Sequence, residues 1–179
     1  WIQETKIIVD IIWIVDNSGS MMPFQNLLGL NMADFMTVFL SYSPDFQMAF
    51  ITTDSPIFVA APIDGRTHSP IDNAIATIDS IGVAGSGWEK GLQMLEDCML
   101  SSECTNWMRP DAKLIAIFLS DEPDNSNRTP ISFINSFDAL KPDAFVPFAI
   151  IGDPPGGCPG QSGWNTQPGW GYYDVVQHY

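Results

Sequence analysis

Residues 7–20 read Ile-Ile-Val-Asp-Ile-Ile-Trp-Ile-Val-Asp-Asn-Ser-Gly-Ser. The first nine form a hydrophobic run broken by Asp10, which predicts a buried central strand that is apolar on both faces. The run ends in the carboxylate of Asp16, and the hydroxyls of Ser18 and Ser20 follow at alternate positions. Carboxylate and hydroxyl oxygens suit hard divalent cations, so the sequence predicts a metal site in the loop after this strand.

Predicted strands and helices alternate along the chain. The strands cover residues 7–15, 46–53, 113–119 and 144–151, with a short edge strand at 57–61. The helices cover residues 23–40, 70–81, 88–100 and 130–140, and residues 172–179 fit either a strand or the start of a helix. This alternation predicts an α/β fold of the Rossmann-like, doubly wound type, with a mainly parallel central sheet and helices on both faces. Without an internal repeat, we expect residues 1–179 to form one domain.

Three predicted loops leave the carboxyl ends of the strands in this arrangement. They cover residues 16–20, 82–87 and 120–127. Ligands of doubly wound folds bind in the crevice outside the carboxyl ends of the strands. We therefore expect the metal site to draw side chains from all three loops.

The composition limits the partners of this chain. Its 179 residues are 45% hydrophobic, which suits one globular domain. Seven Lys and Arg against 21 Asp and Glu give a net charge of −14, and no basic cluster favours nucleic acid. The acidity favours cations and basic or neutral partners, although it also fits simple solubility. No apolar run approaches the roughly 20 residues that span a membrane, and the opening on Trp1 without Met fits a processed or trimmed chain.

The three cysteines leave two interpretations open. Cys98 and Cys104 lie close together in the chain at the predicted end of a helix, which favours a small disulfide loop. Cys158 is then left over, and an odd cysteine in an oxidising compartment indicates a partner elsewhere. The alternative is three reduced thiols in a cytosolic protein. No Cys or His spacing indicates zinc.

The first loop resembles the metal-site loop of von Willebrand factor A domains. The resemblance rests on Ile-Val-Asp-Asn-Ser-Gly-Ser-Met at residues 14–21 and covers nearly the whole chain, from about residue 7 to 175. It looks closest to bacterial surface or secreted members, in which a stretch like Arg-Pro-Asp-Ala-Lys-Leu at residues 109–114 leads into a strand and then Ser-Asp-Glu. In that family a hydroxyl from a second loop and an Asp from a third loop complete the site.

The second and third loops match this pattern with two departures. Ser86 lies five residues before the Gly91-Leu92 pair, where the family usually has Thr, so the hydroxyl is kept and a methyl group is lost. Asp121 stands in the position of the third-loop Asp, and Glu122 replaces the Gly that often follows it.

The resemblance implies a metal-ion-dependent adhesion site and a partner. The implied ligands are Asp16, Ser18, Ser20, Ser86 and Asp121. The implied cation is Mg²⁺, with Mn²⁺ or Ca²⁺ as alternatives, and its open coordination position would accept a carboxylate or glycan oxygen. The partner would be a protein or glycan on another cell or subunit. The implied location is extracellular or cell-surface, with the periplasm and a virion surface as alternatives. Family domains usually end with one more strand and helix, which gives the hypothesis that Cys158 pairs with a downstream cysteine.

Three further carboxylates lie near the predicted site. Asp54 ends the second strand, and Glu122 and Asp124 belong to the third loop. We assign them to the surroundings of the metal, where they would hold a water molecule or a ligand side chain or form the rim. The alternatives are that Asp54 stabilises its own turn and that Asp124 lies in a solvated acidic loop. We expect Glu89 in the first turn of its helix, where a carboxylate is favourable.

Two other classes of function compete with adhesion. The first is a structural subunit or spacer of a larger surface, fibre, pilus or phage-tail assembly. The second is a metal-assisted hydrolase, but only His68 and His178 offer an imidazole base, and neither the Gly-x-Ser-x-Gly motif nor a phosphate-binding glycine loop is present. An aspartyl phosphotransferase would have a second Asp where Ser18 stands. We therefore expect no enzyme and no catalytic residues.

Four aromatic residues mark the Gly- and Pro-rich segment near the end of the chain. They are Trp164, Trp170, Tyr172 and Tyr173. Aromatic rings stack on sugar faces, which would suit a glycan ligand, but they also cover a hydrophobic core under a long loop. The sequence leaves both interpretations open.

Overall fold

The computed structural model describes residues 7–160 and 165–179, which form a five-stranded sheet with helices on both faces. The strands are β1 (Ile8–Val15), β2 (Asp45–Thr52), β3 (Ile63–Asp64), β4 (Lys113–Leu119) and β5 (Phe145–Ile150). Their order in the sheet is β3-β2-β1-β4-β5. All neighbouring strands are parallel except β3, which pairs antiparallel with β2. The predicted doubly wound, mainly parallel α/β fold is confirmed.

Six α-helices connect or flank these strands in the described residues. They are α1 (Met22–Ser41), α2 (Pro70–Ile81), α3 (Gly91–Leu100), α4 (Ser102–Trp107), α5 (Pro130–Leu140) and α6 (Tyr172–Val176). Proline occupies one of the first two positions of α1, α2 and α5, where its missing N–H costs no helical hydrogen bond. No helix in these two segments is long and apolar enough to cross a membrane.

The side chains of β1 alternate between two hydrophobic cores, one on each face of the sheet. On one face Trp13 meets Phe35 of α1 edge-on at 5.8 Å and stacks on Phe50 of β2 at 6.2 Å. On the other face Ile14 lies in the core that also contains Leu92 of α3. Because β1 is buried on both faces, its sequence is an apolar run broken by Asp10 rather than an alternating pattern.

The predicted edge strand at residues 57–61 is wrong. The edge strand β3 consists of Ile63 and Asp64, and residues 57–61 form irregular structure. One backbone hydrogen bond, from Val59 N to Phe50 O at 2.8 Å, holds this segment to β2. The sequence is Ser-Pro-Ile-Phe-Val-Ala-Ala-Pro, and the two flanking prolines supply no N–H for a ladder.

The start of α3 also differs from the prediction, which placed it at residue 88. The helix begins at Gly91, so Glu89 precedes it and does not lie in its first turn. The carbonyl of Glu89 accepts a hydrogen bond from Asn125 N at 2.6 Å and is thereby committed to the third loop. Leu92 N donates to Asp124 Oδ1 at 3.1 Å, so the third loop also caps the helix.

Cys98 and Cys104 form a disulfide between the end of α3 and the following helix α4, with Cα atoms 5.5 Å apart. Cys158 is exposed and carries a free thiol. The structure therefore has the predicted pairing. The hypothesis that Cys158 bonds to a cysteine beyond this chain stays untested.

Gly91 approaches the buried Tyr172 closely, and Gly91→Ala is expected to destabilise the fold by about 1–3 kcal/mol through overpacking. A Cβ atom on Gly91 would lie 2.7 Å from the Tyr172 hydroxyl, which accepts a hydrogen bond from Gly91 N. Tyr172 is held by Phe118 at 5.1 Å between ring centroids. Urea unfolding measures the effect, with Gly87→Ala as the control, since no atom of the described residues lies within 4 Å of a Cβ there. Equal stabilities for the two variants would contradict this packing.

Candidate metal centre

The first loop begins where β1 ends. This is the switch point of the sheet, because β2 lies on one side of β1 and β4 on the other. Strands β1 and β4 are neighbours, and a backbone hydrogen bond from Asp16 N to Leu119 O at 2.9 Å continues their pairing. Asp16 is fully buried, and its Oδ1 accepts the N–H of Ser18 at 2.8 Å. The hydroxyls of Ser18 and Ser20 lie 3.0 Å apart. The crevice next to this loop is the usual ligand position of doubly wound folds.

The third loop brings a second carboxylate to these hydroxyls. Ser20 Oγ donates to Asp121 Oδ1 at 3.1 Å. Ser120, the residue before it, donates from Oγ to Asp16 Oδ2 at 2.7 Å. Four of the five predicted ligands, Asp16, Ser18, Ser20 and Asp121, are therefore linked by hydrogen bonds, directly or through a backbone amide.

The fifth predicted ligand, Ser86, lies apart from this network. It is exposed, its Oγ accepts the N–H of Trp88 at 3.0 Å, and its own N–H donates to Asp54 Oδ2 at 2.7 Å. Among the hydrogen bonds of residues 7–160 and 165–179, none joins Ser86 to the other four ligands. The second loop is nevertheless tied to the first, because Gly85 N donates to Asn17 O at 2.7 Å.

Gln25 is a site residue that the sequence did not reveal. It is buried in α1, and its Nε2 donates to Asp16 O at 2.8 Å and to Gly82 O at 2.9 Å. One amide group therefore holds the first and second loops together. A glutamine inside an amphipathic helix carries no sequence signal of such a role.

Glu89 is a second residue whose position at the site the sequence did not reveal. Its side chain is fully buried, Oε2 accepts a hydrogen bond from Thr53 Oγ1 at 2.6 Å, and Oε1 has no hydrogen-bond partner among the described residues. Burial raises the pKa of Glu89 to about 8, the bond from Thr53 opposes this, and the neighbouring carboxylates of Asp16 and Asp54 raise it further.

Negative charge accumulates around the first and third loops. Burial and then the charge of Asp16 raise the pKa of Asp121. Burial and then the charges of Asp121 and Asp16 raise the pKa of Glu122. A bound cation would stabilise carboxylates that repel one another in this way, because it neutralises part of their negative charge.

The other two acidic residues assigned to the surroundings make backbone contacts. Asp54 holds the N–H of Ser86, as described above, so it fixes the second loop. Asp124 caps α3 through Leu92 N and also accepts from Ser126 Oγ at 2.9 Å. Burial raises the pKa of Asp124. Both carboxylates thus shape the loops around the network.

The oxygen atoms of the network fit a hard divalent cation. The donor set contains carboxylates and hydroxyls without nitrogen or sulfur, which suits Mg²⁺, Mn²⁺ or Ca²⁺. In the described part of the chain, no three His, Cys, Asp or Glu side chains are grouped closely enough to hold a metal ion by themselves. Serine hydroxyls and water would therefore have to complete the coordination.

The aromatic residues near the end of the chain have different environments. Tyr172 is buried in the core, whereas Trp170 is 44% exposed and packs edge-on against Tyr173 at 5.8 Å. Trp164 lies outside the described residues. Tyr172 therefore covers the core, whereas the Trp170 ring is partly exposed to solvent.

Solved structures resemble this chain, although no family model and no curated protein matches its sequence. The pilus adhesin SpaC from Lactobacillus rhamnosus GG has a TM-score of 0.55 and 15% identity, covering 82% of this chain and 25% of the adhesin chain. A von Willebrand factor type A structure from Catenulispora acidiphila has a TM-score of 0.55 and 16% identity, covering 83% of this chain and 34% of that chain. The chain has a von Willebrand factor A-like fold.

Proximal thread matrix protein 1 from the mussel byssus has the same kind of fold. Its TM-score is 0.53 and its identity 17%, covering 84% of this chain and 39% of the matrix protein. The chain spans 25–39% of the length of these three structures. The fold implied by the sequence resemblance is therefore confirmed, while the metal site of the von Willebrand factor A-like fold stays a prediction.

Proposed function

We propose that this von Willebrand factor A-like chain is a metal-dependent adhesion or protein-interaction module. The observation that carries the proposal is the network of Asp16, Ser18, Ser20 and Asp121 at the switch point of the sheet. These oxygens would hold one divalent cation, Mg²⁺ first and Mn²⁺ or Ca²⁺ as alternatives. The cation supplies a positive centre for an oxygen ligand.

A bound cation would allow the site to accept a carboxylate or hydroxyl oxygen of a partner, although the net charge of the chain is −14. Two carboxylates on a divalent cation leave it nominally neutral and still able to accept another oxygen. The side chain of Ser20 lies at the surface, so a partner can approach the site there. A protein carboxylate or a glycan oxygen has the required chemistry, and no catalytic residue is assigned.

The proposed setting is an extracellular or cell-surface assembly. The Cys98–Cys104 disulfide fits an oxidising compartment. The similarity in fold to a pilus adhesin and to a matrix protein of the mussel byssus supports this setting, because their names place both proteins outside the cell.

A structural role without metal is the second candidate. It is favoured by the position of Ser86, which is hydrogen-bonded to its own loop and not to the other predicted ligands. In this case the network would stiffen the loops of a spacer domain. Metal binding separates the two candidates.

Titration of Mn²⁺ into chelator-stripped protein tests the proposal through water-proton relaxation. We expect saturable one-to-one binding, and a relaxation signal that falls when acetate displaces water from the open position. Asp121→Ala should weaken binding by at least about 10-fold, because it removes one of two carboxylate charges. Asp111→Ala is the matched control, since it removes an Asp from the residues that precede β4 rather than follow it. Absence of binding to the wild-type protein would favour the structural role, and a relaxation signal insensitive to acetate would contradict an open position.

A further inference from the structure

A buried carboxylate of the second loop has an oxygen without a partner. Glu89 is 0% exposed, and Thr53 Oγ1 donates to Oε2 at 2.6 Å. Its Oε1 accepts no hydrogen bond from any described residue. A buried carboxylate oxygen without a donor is costly, so such an atom indicates a missing hydrogen-bond donor or cation.

The Glu89 carboxyl lies next to the proposed metal site. The Glu89 carboxyl lies within hydrogen-bonding range of the Asp16 carboxyl. Both oxygens of Asp16 are occupied as acceptors, one by Ser18 N and one by Ser120 Oγ. Two acceptor groups therefore meet with no described donor between them, and either a proton or a cation has to bridge them.

Ser86 offers a contrast in the same loop. Its hydroxyl accepts from Trp88 N, its amide is held by Asp54, and it is exposed. Glu89 lies three residues later and is fully buried, and its carbonyl accepts a hydrogen bond from Asn125 N of the third loop. The loop thus presents a hydroxyl outwards and a carboxylate towards Asp16.

We propose that Glu89, and not Ser86, provides the second-loop ligand of the cation, which then lies between the carboxylates of Glu89 and Asp16. This inference rests on the proposed metal-dependent function. The hydroxyls of Ser18 and Ser20 complete the site, and Asp121 acts through Ser20 or through water.

A third carboxylate changes how the site retains its cation. Asp16, Glu89 and Asp121 together carry one more negative charge than a divalent cation neutralises. The protein therefore holds the cation without needing a partner carboxylate. With its excess negative charge, the site also attracts an incoming anionic ligand less strongly than a neutral site would. The second-loop ligand thereby sets the balance between holding the metal and holding the partner.

The inference is tested by the Mn²⁺ affinities of the variants Glu89→Gln and Ser86→Ala. They are measured on chelator-stripped protein at pH 8. Glutamine keeps the size of the side chain and can donate to Asp16 as a protonated Glu89 would, so it removes only the charge. We expect Glu89→Gln to weaken binding by about 10–100-fold. Ser86→Ala should change it by less than about 3-fold. Near-ultraviolet circular dichroism of the metal-free variants checks the fold.

Each outcome separates the inference from the function on which it rests. If wild-type protein binds no cation, both fall. If Glu89→Gln keeps Mn²⁺ binding and Ser86→Ala loses it, the proposed function stands and the inference is overturned. If both variants lose binding, the inference that Glu89 and not Ser86 is the second-loop ligand is also overturned. Should Glu89→Gln fail to fold, Glu89→Asp keeps the charge but shortens its reach. It is then expected to bind Mn²⁺ at least about 10-fold more weakly than wild type while Ser86→Ala does not, and unchanged affinity overturns the inference.

Discussion

The metal-free protein is expected to lose stability as the pH rises from about 5 to 8. The pKa of Glu89 is 4.5 in a solvated chain and about 8 in the folded protein, where burial and the charges of Asp16 and Asp54 outweigh the bond from Thr53. The folded state therefore binds more protons than the unfolded chain across this window. The contribution of Glu89 is fully present below pH 4.5 and is lost as the pH rises through 8, a change on the order of 3 kcal/mol. Urea unfolding at pH 5.5 and 8 measures it.

Glu89→Gln and added cation provide the two controls for this pH effect. The variant has no titrating group at this position, so the decline between pH 5.5 and 8 should be much smaller. Saturating Mn²⁺ should restore stability at pH 8, since the cation takes the place of the proton. A decline of the same size in wild type and variant would show that the buried carboxyl of Glu89 does not cause it.

Arg109→Ala is expected to destabilise the fold by about 3 kcal/mol, because it leaves a buried carboxylate without its counter-ion. Asp10 is fully buried inside β1, and Arg109 Nε donates to its Oδ1 at 2.8 Å. The same guanidinium donates to Asp45 Oδ1 at 2.7 Å and to Val9 O at 2.7 Å, which fastens β1 and β2 together at their amino ends. Thermal and urea unfolding of the variant measure the loss.

Arg66→Ala is the matched control for the ion pair of Arg109. Arg66 also contacts an aspartate, with its NH2 group 2.6 Å from Asp64 Oδ2, but 93% of its side chain is exposed. An ion pair in solvent contributes little, so no measurable change in stability is expected. Equal stabilities of the two variants would contradict the role assigned to Arg109.

The central strand and its loop were predictable because one physical requirement determines each of them. A strand buried on both faces has to be mostly apolar, as β1 is apart from Asp10, which is paired with Arg109. A parallel strand ends at the edge where ligands bind, so the carboxylate of Asp16 and the two serines after it fall at that edge. Proline favours the first turn of a helix for an equally local reason, and α1, α2 and α5 each have one there.

The site was less predictable where tertiary contacts decide the role of a side chain. Glu89 looked like an ordinary helix-start carboxylate, and only the bond from Asn125 N and the delayed start of α3 place it beside Asp16. Ser86 matched a motif by its spacing, yet its loop turns the hydroxyl towards Trp88 N. Spacing reports which residues reach a loop, whereas side-chain direction depends on the backbone hydrogen bonds of that loop.

Anomalous diffraction from crystals soaked in Mn²⁺ would locate the proposed cation. We expect one strong peak at the carboxyl edge of the sheet, beside the hydrogen-bonded network of the first and third loops. It should lie within about 2.0–2.6 Å of oxygen atoms of Asp16, Glu89 and at least one serine of the first loop. A peak at that edge bound by Ser86 and not by Glu89 would keep the metal site and reject its proposed second-loop ligand. No peak at this edge, at a Mn²⁺ concentration that saturates the protein in solution, would show that no cation binds there and would overturn the proposed metal site.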